Sequence, residues 1–291
     1  MNVRLSKLGL AAAQFGLGAA TPPRGKTPES ETQAIFQVAA RAGMSVLDTS
    51  GVYGQGESLL GQLLPRPQPF RVTLGAPRCD RGPDFAEAEA RASLARLGLA
   101  RADAIVVQAP SDLFGAQGAA TWDRLRLLRD EGLFAKIGVA VHYSDDPVGV
   151  ALRFKPDIIQ APASLLDQRL LVDGALARIA DMGVEVQLRS IFLNGLLFLP
   201  PDRIPAPLKG ASGSISRVRR LIAEGRSDPL QAALGFALSR KEATAVLVGV
   251  TSAAELSAVV AAAASPPPDL DWDNMAIEDP AVLEPGRWAA A

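Results

Sequence analysis

Short apolar runs without a polar face alternate with amphipathic stretches along the whole of this chain, and that alternation limits its architecture more than any other feature. Strands are expected at Leu8–Phe15, Ser45–Asp48, Arg71–Leu74, Ala104–Val107, Lys136–Val141, Asp157–Gln160, Val184–Leu188 and Ala245–Val248. The helices expected between and after them include Glu29–Ala42, Phe85–Leu97, Thr121–Glu131, Asp173–Met182, Pro229–Arg240 and Ala253–Ala263. Strands buried on both faces read as continuous apolar runs, which parallel sheets require. Gly43, Gly132 and Gly183 stand where left-handed helix ends belong, and Asp228-Pro229 reads as an N-cap followed by a first-turn proline.

Eight such units indicate an α/β fold, a single-domain (β/α)8 or TIM barrel. The competing open, doubly wound sheet would carry Gly-x-Gly-x-x-Gly after its first strand. Gln14-Phe15-Gly16-Leu17-Gly18 does not have that spacing. Two segments lie outside the repeat. Asn194–Arg226 is a long loop after the seventh strand, rich in Pro, Gly and Ser, as lids and binding loops often are. Residues 1–264 are expected to form the barrel, and residues 265–291 a C-terminal tail that Trp272 and Trp288 pin to it.

Composition excludes several function classes. Thirty basic against 31 acidic side chains leave a net charge of −1, so no basic field exists to attract nucleic acid. The single cysteine, Cys79, excludes an intrachain disulfide and a cysteine-cluster metal site, and the single histidine, His142, excludes a multi-histidine zinc site. No metal is expected. A serine–histidine triad would have to use His142 and lacks a Gly-x-Ser-x-Gly elbow. No run of 18 apolar residues appears, so no membrane span is expected. Met1–Gly18 lacks the parts of a secretory leader together, and a cytoplasmic location is the expectation.

The chemistry-bearing stretch is Ser45-Val46-Leu47-Asp48-Thr49-Ser50-Gly51-Val52-Tyr53-Gly54, followed by Glu57-Ser58-Leu59-Leu60-Gly61. It places a carboxylate and a phenol at the carboxyl end of a strand, the end at which α/β barrels carry their sites. A phenol of pKa ~10 is a poor acid or base at neutral pH unless neighbours shift it.

Asp48-Thr49-x-x-x-Tyr53-Gly54 with Glu57-Ser58-x-x-Gly61 resembles the active-site signature of the aldo-keto reductases, and the likeness extends over nearly the whole chain. Gly132–Val139, Gln160, Val248-Gly249-Val250-Thr251-Ser252 with Glu255-Leu256, and Arg189–Leu197 resemble further elements of that family, the last in a bacterial subgroup. The resemblance implies NADP(H)-dependent reduction of a small-molecule carbonyl, or oxidation of an alcohol such as a sugar derivative, with NAD(H) an alternative cofactor. Tyr53 would be the proton donor, Asp48 its orienting carboxylate, and Gln108 the group positioning the carbonyl. Gln160, Arg189, Ser190, Gly249, Thr251, Ser252 and Glu255 would bind the cofactor.

The sequence departs from the family pattern at two positions of the catalytic tetrad. Gly75 stands where the family has a lysine and Gln108 where it has a histidine, so both partners that tune the tyrosine are replaced. Ala140-Val141 stands in place of Ser-Asn, and Arg189 in place of an aromatic residue. Weak activity is one consequence. A non-catalytic or regulatory binding protein on the same scaffold is a second reading, and a barrel repurposed through His142 or Arg189 a third. Arg189 must either pair with an acid such as Asp48 or face an anionic ligand. His142 reads as a solvated loop residue, Cys79 as a packed inert thiol, and Arg217, Arg219 and Arg220 as an exposed helix face. The oligomeric state is not legible.

Overall fold

The computed structural model describes residues 3–13, 15, 27–50, 55–284 and 288. Eight parallel strands pair in sequence order: β1 Leu8–Ala11, β2 Val46–Asp48, β3 Arg71–Gly75, β4 Ala102–Val107, β5 Phe134–Ala140, β6 Ile158–Pro162, β7 Glu185–Arg189 and β8 Ala243–Gly249. β8 pairs back onto β1, so the sheet closes into a barrel with helices around it. The first strand is shorter than the expected Leu8–Phe15. Past Ala11 the backbone leaves the ladder, and Phe15 packs edge-on against Phe36, with ring centroids 5.8 Å apart.

Closure and period-2 alternation together decide what faces the barrel axis. At Gly138 a Cβ would come within 2.9 Å of Ile158 O and 3.0 Å of Val106 Cγ2, so this position must stay bare for β5 to pass its neighbours. Val46, Ala245 and Leu247 make a small cluster of their own, apart from the main core. Two residues further along the strands lie Asp48, Gln108, Ala140, Gln160 and Gly249. At the opposite end, Lys136 Nζ lies 2.8 Å from Glu185 and 3.8 Å from Asp103.

The second half of the signature is packing. Glu57 and Gly61 belong to the helix Gln55–Leu63. Glu57 is buried and pairs with Arg96 at 2.7 Å, on the helix Pro83–Leu97. A Cβ at Gly61 would stand 2.2 Å from Arg96 O and 2.9 Å from Leu97 Cα. A bare backbone at that point lets the two helices touch, and the ion pair then fixes their register.

The long loop after β7 contains the helix Ser212–Glu224. Its Ile215, Val218 and Ile222 form one apolar stripe. That stripe joins Leu196, Leu197, Leu208, Phe236, Met275, Ile277 and Leu283 in a second core. The loop and the tail thus bury one another. Trp272 packs on Phe236 at 5.7 Å, and Trp288 Nε1 donates to Val282 O. The arginines expected on an exposed face are put to use: Arg217 donates to Asn274 O, and Arg219 to Leu199 O at 2.8 Å. No helix among the described residues is long and apolar enough to cross a membrane.

Because the Gly61 contact is with backbone, it cannot be relieved by a rotamer change. Gly61→Ala should lower stability by about 1–3 kcal/mol, read as a lower urea midpoint at unchanged m-value. An unchanged midpoint would mean that the helices do not approach this closely.

Candidate active site

A cavity of about 640 Å³ opens at the carboxyl ends of the strands. Asp48, Ser50, Gln108, His142, Gln160 and Arg189 are among the residues lining it, and the loop after β7 supplies Ser190, Phe192, Asn194 and Phe198. Its wall toward the helix Ala253–Ala264 carries Gly249, Val250, Glu255, Ala258 and Val259. The period-2 rule explains this gathering: in a closed parallel barrel every inward residue at a strand's carboxyl end meets the others.

The polar groups form one chain. Gln108 Nε2 donates to Val106 O at 2.8 Å and to Ser50 Oγ at 3.2 Å. Ser50 Oγ donates to Asp48 Oδ1 at 2.8 Å. Gln160 Nε2 donates to the same Oδ1 at 3.0 Å and to Gln187 Oε1 at 3.1 Å. Asp48 is buried, and that desolvation raises its carboxyl above the usual range, while the bonds from Gln160 and Ser50 and the charge of Arg189 pull the other way.

Arg189 is not the ion-pair partner of Asp48 that the sequence allowed. Its Nη2 donates to Val141 O at 2.9 Å and lies 3.3 Å from His142 Nε2. A guanidinium can only donate, so Nε2 is the acceptor in this contact. Burial, with the Arg189 charge second, also pushes the His142 pKa down. Asp48 is already bonded by Ser50 and Gln160, and Arg189 is held on the β5 side of the cavity. Burial lowers the Arg189 pKa while Asp48 raises it. His142 therefore lies at the cavity in contact with Arg189, and not as a solvated loop residue.

The other expected site residues divide. Gln160, Ser190, Gly249 and Glu255 line the cavity, whereas Thr251 and Ser252 are not among its lining residues. Ser252 caps the helix Ala253–Ala264 by accepting from Glu255 N at 3.1 Å. Glu255 Oε2 takes both Thr251 N, at 2.8 Å, and Thr251 Oγ1, at 3.0 Å. Glu31 takes Ala253 N at 2.5 Å. Tyr53, with Gly51, Val52 and Gly54, lies outside the described residues. Gly75 ends β3. Cys79 is buried, and its thiol is pushed up to about 11 mainly by desolvation, so it is no nucleophile. No group of three or more metal-binding side chains occurs among the described residues.

Sequence reasoning assigned no role to Ser50 and Gln187, which complete the chain around Asp48. Their spacing was the available signal: Ser50 falls two residues after Asp48, and Gln187 two before Arg189. The backbone beside Arg189 is strained, with φ of +59° at Ser190, +44° at Leu193 and +52° at Asn194. Left-handed conformations in non-glycine residues cost of order 1–3 kcal/mol each and gather at functional sites.

The family profile described as "Aldo/keto reductase family" matches residues 9–277. A curated aldo-keto reductase of Mycolicibacterium smegmatis is 29% identical over 127 residues, 42% of this chain and 44% of that protein. The chain thus spans less than half the length of the curated relative it matches. Among solved structures, the holo form of an aldo-keto reductase from Bacillus halodurans superposes with a TM-score of 0.73 at 20% identity, over 92% of this chain and 90% of that one. A Pseudomonas aeruginosa protein gives 0.66 at 17%, over 89% and 90%. At these identities the superpositions establish the fold alone.

A group whose pKa is raised in the fold contributes stability that is fully present below its unfolded pKa and lost as pH rises through the folded value. Burial raises Asp48, so Asp48→Asn removes that loss. The variant should melt above the parent at pH 8. The gap should close toward pH 4. A variant melting below the parent at pH 8 would show that the bonds from Ser50 and Gln160 outweigh desolvation.

Proposed function

The chain belongs to the aldo/keto reductase family, and from that premise we propose that it is an oxidoreductase acting on a small carbonyl compound or alcohol with a nicotinamide cofactor. The observation that carries this reading is the buried Asp48, held by Ser50 and Gln160 in a cavity at the carboxyl end of the barrel. A carboxylate fixed in that way can orient a neighbouring proton donor, and family likeness makes Tyr53 that donor.

Gln160 and Ser190 offer polar groups that suit a nicotinamide amide. Gln160, Ser190, Gly249 and Glu255 border one continuous cavity, and Thr251 and Ser252 open the helix at its edge. These residues would hold the cofactor, and when bound it supplies or accepts the hydride. Carboxylates from Glu31 and Glu255 already cover the backbone amides at that helix start. Arg189 is the one arginine or lysine among the described residues lining the cavity. A 2′-phosphate therefore has no dedicated cation there. NADP(H) is the cofactor that family likeness favours, and NAD(H) suits the described donors equally.

Gln108 can donate a hydrogen bond to a substrate oxygen but cannot titrate. With Gly75 and Gln108 in place of the family's lysine and histidine, part of the acid–base assistance, worth ~10²–10⁴-fold, is absent. Turnover below family norms follows from this degenerate tetrad. The surface charge is balanced, and no nucleic-acid partner is proposed.

Titration of the purified protein with NADPH and NADH, followed by cofactor fluorescence, is the test. Saturable binding of at least one is expected. Tyr53→Phe should reduce carbonyl turnover at least ~10²-fold with cofactor affinity retained. No binding of either cofactor at several hundred micromolar, or full turnover by the variant, overturns the reading.

A further inference from the structure

Several half-buried arginines of this protein meet an acid where they lie. Arg96 meets Glu57 at 2.7 Å, Arg124 meets Glu87 at 2.6 Å, Arg129 meets Asp157 at 3.2 Å and Arg169 meets Asp167 at 2.9 Å. Arg189 has only neutral acceptors, Val141 O and His142 Nε2. Its Nε is buried and has no acceptor. Desolvating a cation and a donor without a counter-charge is unfavourable, so the arrangement is incomplete as it stands.

No acid among the described lining residues meets Arg189. The two acids there, Asp48 and Glu255, are committed to Ser50 and Gln160 and to Thr251. Arg189 is the one arginine or lysine among the described residues on the lining. The guanidinium can balance one negative charge, whereas a dianion such as phosphate would keep an unbalanced charge beside two carboxyl groups.

We propose that Arg189 is the seat for a carboxylate on the substrate, so that this barrel acts on carbonyl or hydroxy acids in preference to neutral carbonyl compounds. The proposal rests on the oxidoreductase reading for its chemistry, but the seat itself can be tested without cofactor. One anion oxygen would accept from Nε, a charge-assisted hydrogen bond that a neutral amide oxygen reproduces only weakly. Arg189 is then a specificity-determining residue on the substrate side and not part of the cofactor site.

The test measures binding of benzoate against benzamide, and of acetate against acetamide, to cofactor-free protein by calorimetry, with inorganic phosphate as a further titrant. At least one carboxylate should bind about tenfold more tightly than its amide, equivalent to ~1.4 kcal/mol. Arg189→Gln should abolish that preference, and Arg189→Lys should keep part of it. A preference below threefold in both pairs, or one that survives Arg189→Gln, overturns the seat. Phosphate binding more tightly than both carboxylates overturns the assigned class. Should Arg189→Gln fail to fold, the wild-type pairs and Arg189→Lys decide. Failure here leaves the cofactor titration untouched, and failure of that titration leaves this comparison intact.

Discussion

The pairing of β8 with β1 is the constraint on which the rest depends. Once the parallel sheet closes, alternate residues of every strand must point at a common axis, and the last of these meet at one end. Residues as distant in sequence as Asp48, Gln160 and Gly249 then line one cavity. The same closure forces bare positions where strands crowd, as at Gly138 beside Ile158 and Val106.

Within that layer the electrostatics are those of an incomplete site. Asp48 lies in a low-dielectric environment with amide and hydroxyl donors in place of a bonded cation, and Arg189 with a carbonyl and an imidazole in place of a bonded anion. Each stabilises the other's charge at a distance, yet for both, burial is the larger influence. Opposite charges kept apart across a cavity leave room for a ligand carrying both a polar group and a negative charge. A direct ion pair would have cancelled them.

Much of the fold was legible because parallel strands covered on both faces leave apolar runs that no other element leaves. Where the reading slipped, tertiary contact outweighed local pattern. Phe15 continues an apolar run but belongs to the core against Phe36, not to β1. The helix face expected at Arg217, Arg219 and Arg220 belongs to the helix Ser212–Glu224, but its apolar stripe has meaning only against the tail that covers it. The signature Asp48…Gly61 read as one motif, and the structure divides it. Asp48 and Ser50 line the cavity, whereas Glu57 and Gly61 dock one helix on another.

The sequence alone determined the closed alternation of strands and helices, its polar end and the residue types available there, because all of these follow from periodicity and position along a strand. Only the tertiary structure decided which of those residues bond to one another. The sequence left Arg189 free to pair with Asp48. The barrel instead bonds Asp48 to Ser50 and Gln160, and holds the guanidinium against Val141 and His142. Partners on different strands are chosen by register and side-chain reach across the barrel, which no local pattern of residues records.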